Sequence, residues 1–314
     1  MRGRTQRTRR KQRGVAVVTA LLLTALAITI VASLFWQQQV QVRSVENQRL
    51  HLQTRWILRG ALDWARLILR QDGMDNPKFT RADGVWATPL AETRLDQYVE
   101  RERVQGEDYD ATLKGQIYDA QSRYNLANLA TAAVVNSGEL SVFRQLLNLL
   151  QLDSGLASAA AQLVARGQVQ SGQQGTQQKG AMPLQRVEDL AAAGFSPAAI
   201  ERLRDFVIVL PNTARVNVNT AKAEVLAALV QGMSLSEAQS LVAARKNKTY
   251  GQQSDFTGAM TGRTVLADVV TRSDYFLVLS QVKLDRAVLE SWALIRRLPP
   301  QQGSRTFLEW IREI

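Results

Sequence analysis

The sequence predicts an α+β protein that has a long N-terminal helix, a block of helices in the middle of the chain and strands on both sides of that block. An uncharged run at 15–36, continued by a helical repeat as far as residue 71, indicates the N-terminal helix. Helical stripes begin at Leu140, whereas 112–118, 275–283 and 287–296 are rich in β-forming residues.

The N-terminal run predicts a transmembrane helix. Residues 15–36 carry no charge, and at about 1.5 Å per residue they reach ~33 Å, which suits a hydrocarbon core of ~30 Å. A cleaved secretory signal is the alternative, because 25–27 reads Ala-Leu-Ala, a possible cleavage site. The run is longer than a usual signal core, and neither Gly nor Pro occurs between Val15 and Arg59. These two features favour an anchored helix.

Charge is concentrated before this run. The chain has 39 basic and 28 acidic residues, a net +11, and seven of the basic residues precede Val15. By the positive-inside rule this predicts a cytoplasmic N-terminus and export of the remainder. A basic chain is also typical of nucleic-acid binding, but without the seven residues the excess is small. The chain has no cysteine, which excludes disulfides and thiolate sites.

Residues 37–71 predict an amphipathic continuation of the helix. Leu50, Ile57, Ala61, Trp64 and Ile68 form its apolar stripe, and an arginine-rich series, Arg55, Arg59, Asp63, Arg66 and Arg70, runs along the other side. Asp72-Gly73 is predicted to end the helix, and loops are expected around 76–77 and 83–84. The segment 93–104 is compatible with strand or helix.

The middle of the chain predicts a series of helices at 140–150, 156–164, 184–193 and 197–206, the last capped by Ser196. Residues 167–180 hold four Gly and six Gln, which predicts a mobile loop. Asn219 or Thr220 is expected to cap a helix at 221–230, followed by a turn at 232–234 and a second helix at 236–244.

Residues 215–245 resemble a helix-hairpin-helix module, a unit that often binds DNA backbones. Ser234 replaces the second glycine of the usual hairpin, and the nearest basic cluster is Arg245, Lys246 and Lys248. A compact packing unit is therefore favoured, and DNA binding remains the alternative function.

The C-terminal strands at 275–283 and 287–296 are separated by three residues, which predicts a hairpin that ends at Leu298-Pro299-Pro300. The tail from Phe307 fits a strand or a short helix.

The junction Lys11-Gln12-Arg13-Gly14, placed before an apolar helix, resembles the class III leader of type IV pilins and type II secretion pseudopilins. The resemblance implies that a prepilin peptidase cleaves after Gly14 and that Val15 becomes an N-methylated first residue. Thr19 then stands at the fifth mature position, where these families usually carry Glu.

Four segments, 115–129, 186–211, 216–229 and 273–278, resemble motifs of the protein K family of type II secretion, the large minor pseudopilins. The resemblance implies a pilin-like body with a long helix packed on a small antiparallel sheet, and a helical domain inserted between strands. The implied divisions are a leader at 1–14, a membrane helix at 15–36, its continuation at 37–71, the body at 72–124 and 269–314, and the insertion at 125–268.

The same resemblance implies a single-pass inner-membrane protein with a periplasmic body, assembled at the pseudopilus tip with minor pseudopilins I and J and beside the major pseudopilin. Some members bind calcium in the insertion, which needs several oxygen ligands. Between Glu139 and Glu188 this chain has only Asp153, so we expect no calcium and no other cofactor.

We therefore expect a structural protein and no enzyme, because there is one histidine, no cysteine and no evident catalytic carboxylate pair. In pilin-like families the fifth-position glutamate is thought to pair with the N-terminal amine of the preceding subunit. Thr19 leaves no buried carboxylate unpaired in a subunit that enters first. This residue predicts a subunit that starts or caps the filament and so supports protein export across the outer membrane.

Overall fold

The computed structural model describes residues 13–95, 111–168 and 182–314. The chain forms two compact units, Met1–Trp56 and Ile57–Ile314. Helix α1 spans Arg13–Asp75. In the first unit its side chains from Val15 to Trp36 are all exposed, and the helix is long and apolar enough to cross a membrane.

In the second unit α1 buries Leu58, Leu62, Ala65 and Leu69. Their spacing of 4, 3 and 4 is that of one helix face. The predicted stripe is therefore displaced by one residue, and Trp64, one of its members, is 49% exposed. Packing against the sheet decides which of two neighbouring rows is central.

The predicted helix end at Asp72-Gly73 is wrong, because α1 continues to Asp75. Gly73 serves a close approach: a Cβ atom there would lie 2.8 Å from Ser304 Oγ and 2.9 Å from Arg297 Cδ. Glycine is needed at this position of the helix because a larger residue would not fit against the end of the strand.

Five antiparallel strands form the main sheet in the order β1-β2-β9-β10-β11. They are β1 (Leu90–Arg94), β2 (Ala111–Asp119), β9 (Tyr275–Leu284), β10 (Ala287–Arg297) and β11 (Thr306–Glu313). The predicted hairpin is confirmed, with Asp285 at φ 48° in the turn between β9 and β10. The C-terminal tail, predicted as strand or helix, is a strand. Strand β1 begins before the predicted 93–104 segment, of which residues 96–104 lie outside the described residues.

Between β2 and β9 the described residues form six α-helices and six strands of two residues each. The helices are α2 (Ser137–Leu149), α3 (Leu156–Gly167), α4 (Pro197–Leu203), α5 (Ala223–Leu229), α6 (Leu235–Ala244) and α7 (Gln253–Ala259). The short strands are β3 (Tyr124–Asn125), β4 (Ala130–Thr131), β5 (Val134–Val135), β6 (Val207–Ile208), β7 (Val216–Asn217) and β8 (Val269–Val270). Short 3₁₀ turns occur at Val85–Ala87, Ala120–Ser122, Leu126–Leu129, Val187–Ala193 and Pro300–Gln302.

The α+β fold class is confirmed: β2 and β9 are neighbours in the sheet, with Asp119 opposite Phe276, although a largely helical segment separates them in sequence. That segment has its own hydrophobic core, which includes Phe143, Leu147 and Leu226. A second core lies between α1 and the sheet. The boundaries at 125 and 268 stay a prediction.

Three helix predictions need correction. Residues 187–193 form a 3₁₀ helix, and the α-helix predicted from Leu184 is absent there. Helix α5 begins two residues late, after Lys222, because the predicted caps Asn219 and Thr220 bond to distant residues instead. Helix α6 begins at Leu235 with Ser234 as its cap. The Ser196 cap of α4 is confirmed, and most of the predicted 167–180 loop lies outside the described residues.

Candidate functional site

The first turns of α1 contain the three residues that the sequence singles out, Gly14, Val15 and Thr19. Thr19 Oγ1 lies 3.0 Å from the carbonyl oxygens of both Val15 and Ala16, and donates within its own helix. An apolar helix tolerates such a hydroxyl because its hydrogen bond is already made. Cleavage after Gly14 and methylation of Val15 stay predictions.

A buried polar cluster joins the end of β2 to the start of β9. Asp119 accepts hydrogen bonds from Gln121 N at 2.8 Å, Asn217 Nδ2 at 3.1 Å, Thr220 Oγ1 at 2.5 Å and Ser273 Oγ at 2.5 Å. Its burial raises the pKa of the carboxyl, although all four donors oppose that shift. We call this the Asp119 cluster.

Arg297, at the end of β10, connects this region to α1. Its side chain is fully buried and pairs with Asp72 at 2.7 Å, while Nη2 donates to Thr80 Oγ1 at 2.9 Å. The guanidinium lies 4.7 Å from the ring centre of Phe276. Thr80 Oγ1 also accepts from the backbone of Ser273 at 3.0 Å. A guanidinium remains charged in proteins, so removing one partner would leave a buried charge unpaired.

Buried amides fix the chain on the other side of the Asp119 cluster. Asn128 exchanges two hydrogen bonds with the backbone of Ala214, at 3.0 and 2.9 Å. Asn219 makes the same double contact with Tyr250, at 2.9 Å each. Such side chains replace missing backbone partners. Three of the four segments that carried the family resemblance, 115–129, 216–229 and 273–278, therefore meet at the Asp119 cluster. Their polar residues are the signal that sequence reasoning did not use.

The predicted hairpin is formed by α5 and α6, with Gly232 at φ 72° in the turn. Arg245 points inward: its Nη1 donates to the carbonyls of Val218 and Ala221 at 3.0 and 2.6 Å. Glu237 at the start of α6 pairs with Arg263 at 2.6 Å, and this hydrogen bond lowers its pKa to about 2. A carboxylate at the turn disfavours a phosphate, so the geometry favours a packing unit.

Glu139 lies in a polar cleft of about 650 Å³ that also contains the Arg215–Asp268 ion pair. Its Oε2 atom is buried and has no hydrogen-bond partner among the described residues, and burial raises the pKa of Glu139 to about 7. Across 13–95, 111–168 and 182–314, no three acidic or histidine side chains are placed to hold a metal ion. The expectation that the chain binds no calcium stays a prediction.

An apolar helix suited to a membrane, continued onto an antiparallel sheet, defines a membrane-anchored protein of pilin-like architecture. Two models of type II secretion system protein K match, at residues 122–212 and 216–272. The Pseudomonas aeruginosa type II secretion system protein K is 32% identical over 88% of this chain and 86% of the relative. The chain belongs to the type II secretion system protein K family, and it is a minor pseudopilin.

Other relatives and one solved structure agree. The Klebsiella pneumoniae protein K is 29% identical over 75% of this chain and 76% of the relative. The crystal structure of the GspK-GspI-GspJ complex from enterotoxigenic Escherichia coli contains a chain of the same fold, with a TM-score of 0.59 and 17% identity. It covers 86% of this chain and 99% of that one. The family is that of structural pseudopilins.

Proposed function

We propose that this minor pseudopilin starts or caps the periplasmic pseudopilus at its tip, and thereby supports export of folded proteins across the outer membrane. Its partners are minor pseudopilins I and J, as in the complex solved for the Escherichia coli relative, and the major pseudopilin below them. A prepilin peptidase removes residues 1–14, and the basic leader keeps the N-terminus cytoplasmic.

Thr19 is the observation that carries the proposal. A carboxylate in hydrocarbon is costly unless it has a charged partner, and the first subunit of a filament has no predecessor to supply an amine. At this position the chain has a hydroxyl that is bonded to its own helix, 3.0 Å from Val15 O. Such a subunit is suited to be first, whereas a subunit with Glu at this position is suited to follow.

Thr19→Glu tests this idea, and Thr24→Glu is its matched control. Thr24 lies in the same apolar segment and also donates to its own helix, to Leu21 O at 2.9 Å. We expect Thr19→Glu to be processed normally but to enter the shaft, because its carboxylate now meets a predecessor's amine. Thr24→Glu places the same charge where no amine lies, so it should not enter the shaft.

The readout is the position of labelled protein on overproduced filaments, together with the co-isolation of pseudopilins I and J from detergent-solubilised membranes. Wild-type label should be confined to one filament end, at very few copies. Wild-type label along the whole filament would refute the tip position. Failure of the wild type to bring down I or J would refute the proposed partners.

A further inference from the structure

A groove lies between α1 and the edge strand β11 in the second unit, with a volume of about 450 Å³. We call it the α1–β11 groove. Its lining residues come from about two turns of α1 and from the chain at the start of β11: Asp63, Arg66, Leu67, Arg70, Arg305, Thr306 and Phe307. It exists because α1 packs over the middle of the sheet, through Leu62 and Leu69, and leaves β11 uncovered.

The groove carries an excess of positive charge. Three arginines line it against one carboxylate, Asp63. Arg66 is already engaged, because it pairs with Asp63 at 2.7 Å and donates to the carbonyl of Thr306 at 3.0 Å. Arg70 and Arg305 are exposed, and neither guanidinium has an ion pair or hydrogen bond to any residue that the structure describes. Two cations are therefore left for an external partner.

Apolar side chains, which we call the apolar strip, are exposed in the groove and farther along β11. Leu67 is 62% exposed, Leu308 40% and Ile311 38%. Leu308 pairs with Ile295 and Ile311 with Ala293, and both partners belong to the core beneath α1. Paired residues of neighbouring strands share a sheet face, so this strip extends that core into solvent beside the groove.

Strand β11 also presents a free edge. It is the last strand of the sheet within the described ranges, and eight residues long. Edge strands of soluble proteins are normally shortened, charged or covered, because their unpaired backbone groups and apolar side chains attract other chains. An exposed apolar edge beside unpaired arginines is typical of a surface that another protein covers.

We infer that the α1–β11 groove is the docking site for an acidic, partly apolar segment of a neighbouring pseudopilin. Carboxylates of the segment pair with Arg70 and Arg305, and its apolar side chains cover Leu67, Leu308 and Ile311. Charge complementarity sets orientation, while the apolar strip supplies burial. The inference rests on the proposed function, which gives this chain protein neighbours at the tip.

The test is co-isolation of pseudopilins I and J with full-length protein from detergent-solubilised membranes. Arg70→Glu with Arg305→Glu should weaken capture by about tenfold, because two pairs are lost and like charges now face each other. Lys246→Glu with Lys248→Glu is the matched control: it makes the same charge change at exposed residues distant in sequence, and should retain capture. Arg70→Lys with Arg305→Lys should also retain most of it.

A cross-link locates the contact. The chain has no native cysteine, so a single cysteine at Leu308 carries the only thiol-linked photoprobe. This probe should cross-link to an acidic segment of I or J, whereas one at Val288, exposed at the far hairpin of the sheet, should not. Unchanged urea unfolding would show that the double Glu variant is folded, as expected for side chains without internal bonds.

The outcomes separate this inference from the proposed function. If the wild type captures I and J and the double Glu variant captures them equally well, the groove is not the docking site, and the proposed function stands. If the wild type captures neither, the proposed partners fail and the inference fails with them. If the double Glu variant keeps I and J but loses binding to phosphatidylglycerol vesicles, the groove contacts an anionic membrane, which overturns a protein partner.

Discussion

Asp119→Ala should lower the free energy of unfolding by about 2–5 kcal/mol. Asn217 Nδ2 retains Ser273 Oγ as an acceptor at 2.7 Å, and Thr220 Oγ1 retains a weak one in Asn217 O at 3.4 Å. Gln121 N and the Ser273 hydroxyl lose the acceptor carboxylate, and a buried donor without a partner costs about 1–3 kcal/mol. The small cavity adds to this cost, and relief of the carboxylate's own burial offsets part of it.

The assay is urea unfolding of the full-length protein in detergent, followed by tryptophan fluorescence and by protease resistance of the helical segment. Asp83→Ala is the control, because Asp83 pairs with Arg81 at 2.6 Å on the surface and should contribute at most about 1 kcal/mol. The Asp119 cluster joins β2, the segment before α5 and the start of β9. Both signals should therefore shift to lower urea together.

An Asp119→Ala variant as stable as Asp83→Ala would refute the reasoning. Separate shifts of the two signals would show that the cluster does not couple the helical segment to the sheet.

Three further predictions concern processing, pH and DNA. Mass spectrometry should show a mature chain that begins at Val15, and Gly14→Asp should block that cleavage, since the peptidase pocket accepts no side chain; an intact leader in the wild type would contradict this. Burial raises the pKa of Glu139 to about 7 in the folded chain, from 4.5, so its contribution to stability is complete below pH 4.5 and is lost as the pH rises through 7. Glu139→Gln should flatten this fall in urea unfolding, and an unchanged pH profile would contradict it. The full-length protein should bind DNA no tighter than about 10⁻⁵ M at physiological salt, and tighter binding abolished by Lys246→Ala with Lys248→Ala would support the alternative function.

Elements whose signals are local can be predicted from neighbouring residues. The uncharged run at 15–36 is long and apolar enough to span a membrane, and this property does not depend on distant residues. The β9–β10 hairpin follows from two β-rich runs and a short connection, and the Ser196 cap follows from a hydroxyl next to Pro197. Cleavage after Gly14 and the role of Thr19 are also inferred from neighbouring residues, and both stay predictions.

Where a side chain has a partner far away in the sequence, its role is visible only in the tertiary structure. Asn219 and Thr220 are residue types that commonly cap helices. Because Asn219 instead hydrogen-bonds to Tyr250 and Thr220 to Asp119, α5 begins after them. Gly73 reads as a helix end, yet it is used for close contact with Ser304. A local rule has no access to such competition, because the competing partner is far away in the chain.

The α1–β11 groove and the Asp119 cluster show the same division. Arg66 and Arg70 are visible in the sequence as a polar helix side, but only the fold places Arg305 beside them and leaves β11 uncovered. The Asp119 cluster draws its members from three segments of the chain. Asp119 and Asn217, which belong to the first and the second segment, lie 98 residues apart in the sequence. Helix periodicity and turn chemistry act over a few residues, whereas the burial of a carboxylate and the exposure of an edge strand depend on how the whole chain packs.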